Sequence, residues 1–193
     1  VMDFLVRANE QGYSVPVEVI NRGNERLLRY LQDPGMMSIR YTDDSSASRF
    51  AVQAYAALVL AHQQKAPLGA LREIWERRAQ AASGLPLLQL GIALKNMGDA
   101  NRSEQALTLA LNTPRRDTQQ WMADYGSALR DNALMLALLE ENKIKPDVQN
   151  TLLNTLSEQA FGQRWLSTQE NNALFLAART LQAVSYTHLT LPT

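Results

Sequence analysis

Apolar residues recur along the chain at helical spacing, and glycine, proline and polar clusters divide them into about nine segments. Val1–Gln11 carries Phe4, Leu5 and Ala8 and stops before Gly12; it opens without a capping residue, so the chain begins inside a helix. Ser14-Val15-Pro16 starts a second helix with the stripe Ile20, Leu27, Leu28 and Leu31, and Asp33-Pro34-Gly35 ends it. Met36–Ser45 reads as a polar loop. From Ser46 the run Phe50–Ala61 is apolar nearly all round, so that helix, Ser46–Gln64, is buried on more than one side. Pro67 opens an amphipathic helix with Leu71, Ile74, Trp75 and Arg78 on one side and Arg72, Glu73, Glu76 and Arg77 on the other.

The alternation continues. Leu85–Met97 is apolar and stops at Gly98-Asp99, and Asn101-Arg102-Ser103-Glu104 reads as a capping-box variant opening Gln105–Asn112. After Pro114 a long helix is expected from Trp121 to Asn142, with Ala133–Leu139 apolar all round. Pro146-Asp147 starts another, striped by Val148, Leu152, Leu153, Leu156 and Ala160. Ser167-Thr168-Gln169-Glu170 is a capping box before Asn171–Val184, whose stripe is Leu174, Ala177, Ala178 and Leu181.

Helices apolar on all sides thus alternate with amphipathic ones. Two layers satisfy this pattern, with inner helices touched on both sides and outer helices wet on one, as in an α/α toroid or an α-solenoid. The inner set is Ser46–Gln64, Leu85–Met97, Asp124–Asn142 and Asn171–Val184, with Ala54, Leu58, Leu90, Leu136 and Leu174 buried. The last nine residues, Ser185–Thr193, carry three Thr, no charge and a terminal Pro. They are expected to end the helical pattern and to be a non-native tail, an assembly scar outside the fold.

Composition strengthens the all-α reading: 30 Leu and 25 Ala stand against 9 Val and 5 Ile, an excess of helix formers over strand formers. Nineteen basic residues balance nineteen acidic ones, which leaves no cationic surface to displace counterions from nucleic-acid phosphates. The longest uncharged stretches, such as Ala79–Leu94, are interrupted by Gln, Ser, Gly and Pro and are too short to span a bilayer. Val1-Met2-Asp3-Phe4 has no basic start or cleavage-like run of a signal peptide.

Candidate chemistry is sparse. With no Cys there is no thiolate, disulfide or Cys metal site. Of the two His, His188 lies in the tail and His62 reads as a polar residue at a helix end, favoured there by the C-terminal dipole. Asp43-Asp44 could belong to a carboxylate site, but Tyr41 stands where an Asp-x-Asp-Asp proton donor would begin, and the pair precedes a helix start where acids are favoured. Glu140-Glu141 is a solvated helix end. Trp75, Trp121, Trp165, Tyr55 and Phe175 fall on apolar stripes or helix ends and are expected to pack in the core. No catalytic residue, cofactor or metal ligand is assigned.

Several runs carry a family resemblance. Tyr55–Ala61 followed by Leu68–Arg72, then Leu88–Leu94 leading to Gly98-Asp99, then Asp124–Ala133, and finally Leu166–Ala173 resemble, in order, the thioester-containing domain of bacterial α2-macroglobulins. The resemblance spans Val1 to Val184. It implies an α/α toroid, incomplete at the N-terminal side, within a large periplasmic protease-trapping protein. The partners it implies are target proteases, reached through the full-length parent, and other macroglobulin-type domains of the same polypeptide. Nucleic acid and a direct membrane span are not implied, and whether the parent is lipid-anchored is left open.

In that family an internal thioester joins Cys to Gln in Cys-x-Glu-Gln. Here Glu-Gln occurs at Glu10-Gln11, Glu104-Gln105 and Glu158-Gln159, preceded two residues earlier by Ala8, Arg102 and Leu156. None can form the thioester, so the chain is expected to be a downstream fragment with its reactive centre missing; a thioester-less family member is the alternative. A helical-repeat interaction scaffold is the second functional class, since Leu87–Asn112 alone looks like a tetratricopeptide unit. Its neighbours do not repeat the pattern every 34 or so residues. An α/α-barrel enzyme is the third, weakened by the missing acid motif and general base.

Overall fold

A computed structural model describes residues 1–37, 45–116, 126–161 and 165–187. Among the described residues every regular element is helical: α1 (Met2–Glu10), α2 (Val17–Gln32), α3 (Ser45–His62), α4 (Leu68–Glu76), α5 (Gly84–Asn96), α6 (Ala100–Leu111), α7 (Ala128–Glu141), α8 (Pro146–Phe161) and α9 (Thr168–Thr187), with 3-10 turns at Pro34–Met36 and Arg78–Gln80. The chain divides into two compact units, one of residues 1–82 and 86–112, the other of 83–85 and 113–193.

In the first unit α3 is buried as its composition requires. Phe50, Ala54, Ala56, Ala57, Val59, Leu60 and Ala61 are sealed, while Val52 and Tyr55 are exposed and Ala51 is half-buried. Removing one such Leu side chain from water contributes roughly 1.5–3 kcal/mol, so each all-apolar helix is a large share of the folding energy. From Leu87 to Leu94 no residue of α5 is exposed. α4 is amphipathic, with Leu71, Ile74 and Trp75 inward and Arg72, Glu73 and Glu76 outward.

Left-handed residues close the helices. Gly12 (φ 85°) and Gly98 (φ 88°) follow α1 and α5, and the next residue reaches back to the helix: the Tyr13 N–H donates to the Ala8 carbonyl and that of Asp99 to Leu94. Gln64 (φ 58°) and Lys143 (φ 52°) do the same after α3 and α7 without being glycine, through Lys65 to Leu60 and Ile144 to Leu139. The α5–α6 hairpin is closed by a close approach. A side-chain carbon on Gly91 would lie 3.1 Å from Leu107 and 3.2 Å from Ala106, and the buried Ser103 hydroxyl donates to the Gly91 carbonyl at 2.8 Å.

In the second unit α7 packs on α8 and α9. Leu129, Ala133 and Leu136 of α7, Leu156 of α8, and Ala173 and Ala177 of α9 form its core, with Leu152, Ala160, Leu174 and Leu181 packed against it.

Several expectations need correction. α6 begins at Ala100, because Asp99 rather than Asn101 is its cap: the Arg102 N–H donates to the Asp99 carboxylate at 3.2 Å, which leaves Ser103 inside the helix. α7 begins at Ala128, since the Ser127 hydroxyl takes the Arg130 N–H and fixes the start there; Trp121 and Asp124 lie outside the described residues. α9 runs on to Thr187, past the expected stop at Val184, so Ser185–Thr187 are helical. Of the five residues expected to be buried, Ala54, Leu58, Leu90 and Leu136 are buried and Leu174 is half-buried. α9 buries one narrow stripe through Ala173 and Ala177, with Ala178 exposed, because its packing on α7 uses alanines. Phe4 is turned outward on α1, whose buried residue is Val6, and Leu153 of α8 is 40% exposed beside the buried Leu156.

Candidate functional site

The polar chemistry of the described residues gathers at helix ends. His62 is the last residue of α3, and its Nε2 stands 2.9 and 3.0 Å from the two carboxylate oxygens of Glu10 at the end of α1. The imidazole therefore ties two helix C-termini together, in keeping with its reading as a helix-end residue. Beside it α1, the start of α2 and the end of α3 enclose a cleft of about 230 Å³, lined by Val6, Asn9, Glu10, Ile20, Gln63 and Lys65 among others. Its charged lining residues are Glu10 and Lys65, set among amide and aliphatic side chains, which supplies neither a carboxylate pair nor a base–nucleophile pair.

Two of the buried acids, Asp99 and Glu170, serve in caps, and a third, Asp131, pairs with arginines. Asp99, nearly sealed, accepts from Arg72 Nε at 2.7 Å and Arg102 Nη1 at 3.2 Å. The Arg72 hydrogen bond holds its carboxyl below the usual range, against the opposing cost of desolvation. In the second unit Asp131 is clasped by Arg115 Nη1 at 2.8 Å and Arg130 Nη2 at 2.7 Å. Glu170 closes the capping box anticipated from Ser167-Thr168-Gln169-Glu170: the Ser167 N–H donates to its Oε2 at 2.7 Å, and its own N–H donates to the Ser167 hydroxyl at 3.2 Å. The other oxygen, Oε1, accepts from the Ser127 hydroxyl at 2.7 Å, so one carboxylate joins the caps of α9 and α7. Desolvation pushes the Glu170 carboxyl up, but the hydrogen bonds from Ser127 and Ser167 outweigh it and leave the group below its ordinary range.

Tyr55 is pushed up to about 12, first by desolvation and then by the charge of Asp3, with Arg7 opposing. It is a neutral phenol at physiological pH. Among the described residues no group of three His, Asp or Glu side chains could hold a metal ion, and no helix is long and apolar enough to cross a membrane.

The remaining sequence candidates divide. Asp43 and Asp44 lie outside the described residues, as does Trp121. Glu141 is exposed at the end of α7, as expected. Of the described aromatic residues assigned to the core only Trp75 is there, with the Arg78 guanidinium 4.6 Å over its ring. Trp165 and Phe175 are 83% and 64% exposed and Tyr55 is half out: Trp165 precedes α9, and Phe175 projects away from the Ala173–Ala177 stripe. Sequence reading missed the buried amides. Asn24 and Gln63 exchange reciprocal hydrogen bonds of 2.8 and 3.0 Å between α2 and the end of α3, and Gln53 is fully buried. A lone amide within an apolar stripe was the available signal.

No family model matches the chain. It is 79% identical over 183 residues, 94% of its length, to a curated alpha-2-macroglobulin of Escherichia coli (strain K12), and it spans 11% of that relative. Among solved structures it is similar to Salmonella alpha-2-macroglobulin reacted with methylamine (TM-score 0.90, 79% identity, 93% of this chain and 12% of that one). It is also similar to trypsin activated alpha-2-macroglobulin from Escherichia coli (TM-score 0.88, 78% identity, 94% of this chain and 12% of that one).

Proposed function

We propose that this chain, a segment of the bacterial alpha-2-macroglobulin family, supplies helical scaffold to the thioester-containing domain of a periplasmic protease inhibitor and carries none of its reactive atoms. The observation that carries the reading is a match of 79% over nearly the whole chain to proteins nine times its length, combined with a chain free of Cys. Methylamine, which reacts with the Salmonella relative, is a nucleophile, so that protein has an electrophile to attack. A thioester is such an electrophile, and it needs a cysteine sulfur as leaving group. In the parent of this chain that sulfur comes from other residues. The helices described here belong, in this reading, to an α/α toroid that shelters the acyl group from water, with other macroglobulin-type domains of the same polypeptide around it.

Trypsin, which activates the Escherichia coli relative, stands for the class of protease the parent engages. The buried acids are held by arginines and helix caps, and His62 is held by Glu10, which fits a segment that contributes shape rather than reaction. Ser185–Thr193 is read as a non-native tail: 183 residues align with the curated relative, which leaves room for a segment of that length outside the match.

Mixing the purified chain with active trypsin and running boiled denaturing gels tests the reading. No protease-sized covalent adduct is expected, and treatment with methylamine should leave the mass of the chain unchanged. The parent, with coding sequence for Cys-x-Glu-Gln upstream, should show both the adduct and the mass gain. An adduct on the isolated chain would overturn the proposal.

A further inference from the structure

Among the described residues, two side-chain polar atoms sealed from solvent have no hydrogen-bond partner: Arg49 Nε and Gln53 Oε1, both in the first unit. Their residues are four apart on α3, so the two side chains rise from neighbouring positions on one face of the helix. The orientation of the Gln53 amide is fixed by what its nitrogen does. Nε2 donates to the backbone carbonyls of Tyr30 at 2.9 Å and Leu31 at 3.2 Å, in the last turn of α2. Turning the amide over would set its oxygen against two carbonyl oxygens, so Oε1 must remain an acceptor directed elsewhere. Arg49 Nε–H can donate a hydrogen bond and cannot accept one. A buried donor and a buried acceptor, one helical turn apart, are therefore each waiting for the opposite partner.

We infer that this face of α3 holds a structural water molecule, which accepts from Arg49 Nε–H and donates to Gln53 Oε1. Chemistry and size choose the ligand. The occupant must accept from one atom and donate to the other, which excludes a carboxylate or a halide, since neither donates. A peptide or carboxamide group could do both, but reaching two atoms closed to solvent would require the packing around them to open. Water meets both demands, and a buried water makes about three hydrogen bonds.

Such a water would link the first half of α3 to the last turn of α2, whose Tyr30 and Leu31 carbonyls accept from Gln53. Gln53 would then act as a cap from a neighbouring helix, and the water would complete the set of bonds that holds the two helices in register.

A crystal structure of the full chain at about 2 Å or better decides the matter. The expected result is one ordered water within roughly 2.7–3.2 Å of both Arg49 Nε and Gln53 Oε1. A protein group on either atom, or a dry site, overturns the proposal. In solution, a nuclear Overhauser contact between a long-lived water and the Gln53 side-chain amide protons should be present in the wild type. It should be lost in Arg49→Met, which removes the donor while leaving the Gln53 bonds to Tyr30 and Leu31 in place. A contact that survives in a folded Arg49→Met protein would also refute the bridge, and if that variant fails to fold, the wild-type density alone gives the answer.

Discussion

Replacing Glu170 should loosen α7 and α9 together. Its carboxylate accepts two charge-assisted hydrogen bonds of 2.7 Å, from the Ser167 N–H and from the Ser127 hydroxyl that caps α7. A hydrogen bond to a charged group contributes about 1.5–3 kcal/mol. Ser167 is exposed and Ser127 half-buried, so water can take over part of each bond when the carboxylate is gone. That reduces the expected loss for Glu170→Ala to about 2 kcal/mol, or roughly 4–8 °C in Tm for a domain of this size.

Glu170→Gln keeps the shape and one strong acceptor, so it should lose only about half as much, roughly 1 kcal/mol. The two variants also separate charge from shape through pH. The hydrogen bonds lower the Glu170 pKa in the folded chain below its ordinary value of 4.5, so the unfolded state binds more protons in that range. The stabilisation is complete above pH 4.5 and is lost as pH falls through the folded value. Urea titrations from pH 7 down to about 3 should therefore show the gap between wild type and Glu170→Gln shrinking below about pH 4.5. A constant gap across that range, or a loss under about 0.5 kcal/mol for Glu170→Ala, would refute the shared-cap account.

Left-handed helix ends make a second prediction with two signs: Gly98→Ala should destabilise by about 1 kcal/mol, whereas Lys143→Gly, which relieves a side chain held at φ 52°, should stabilise by up to about 1 kcal/mol in thermal unfolding. Leu136→Ala, at the fully buried centre of the second unit, should cost about 2–5 kcal/mol by chemical denaturation, and Leu174→Ala at its half-buried edge clearly less. Phe175→Ser should change stability by less than about 0.5 kcal/mol, because most of the ring is already in water. Deleting Ser185–Thr193 should likewise cost less than about 1 kcal/mol, although it shortens α9 by its last turn.

The helices were legible because their signals are local. α3 and α5 could be recognised from uninterrupted apolar runs, α4 from its charged face, and the start of α9 from Ser167 and Glu170 three residues apart. The errors came where two local signals competed. Asn101-Arg102-Ser103-Glu104 has the spacing of a capping box, but Gly98 reverses the chain so that Asp99 reaches the helix start first. Ser127 was passed over because the residues before it suggest a helix already under way, and its role depends on Glu170, forty-three residues later. Aromatic residues misled for a related reason. Apolar character says that a side chain can be buried, and only the neighbouring helix decides whether it is; α7 meets α9 at Ala173 and Ala177, which leaves Phe175 outside.

The limits on chemistry were legible in a different way. A reactive centre needs residue types that can be counted, and a chain with no Cys and one His outside its last nine residues restricts the chemistry before any geometry is known. Geometry then accounts for several of the polar residues that are described. Asp99 and Asp131 are each held by two arginines, Glu170 by two serines, and His62 by Glu10. The buried amides Asn24 and Gln53 were beyond prediction, since whether an amide in an apolar stripe is satisfied depends on a partner from another helix: Gln63 for Asn24, and the carbonyls of Tyr30 and Leu31 for Gln53. Polar groups placed in this way specify how helices meet, because a shifted register would leave them unpaired at a cost that an all-Leu interface would not incur. If the segment shapes and shelters a reactive group supplied by other residues, as proposed above, fixing the geometry of helix packing would be its contribution to that chemistry.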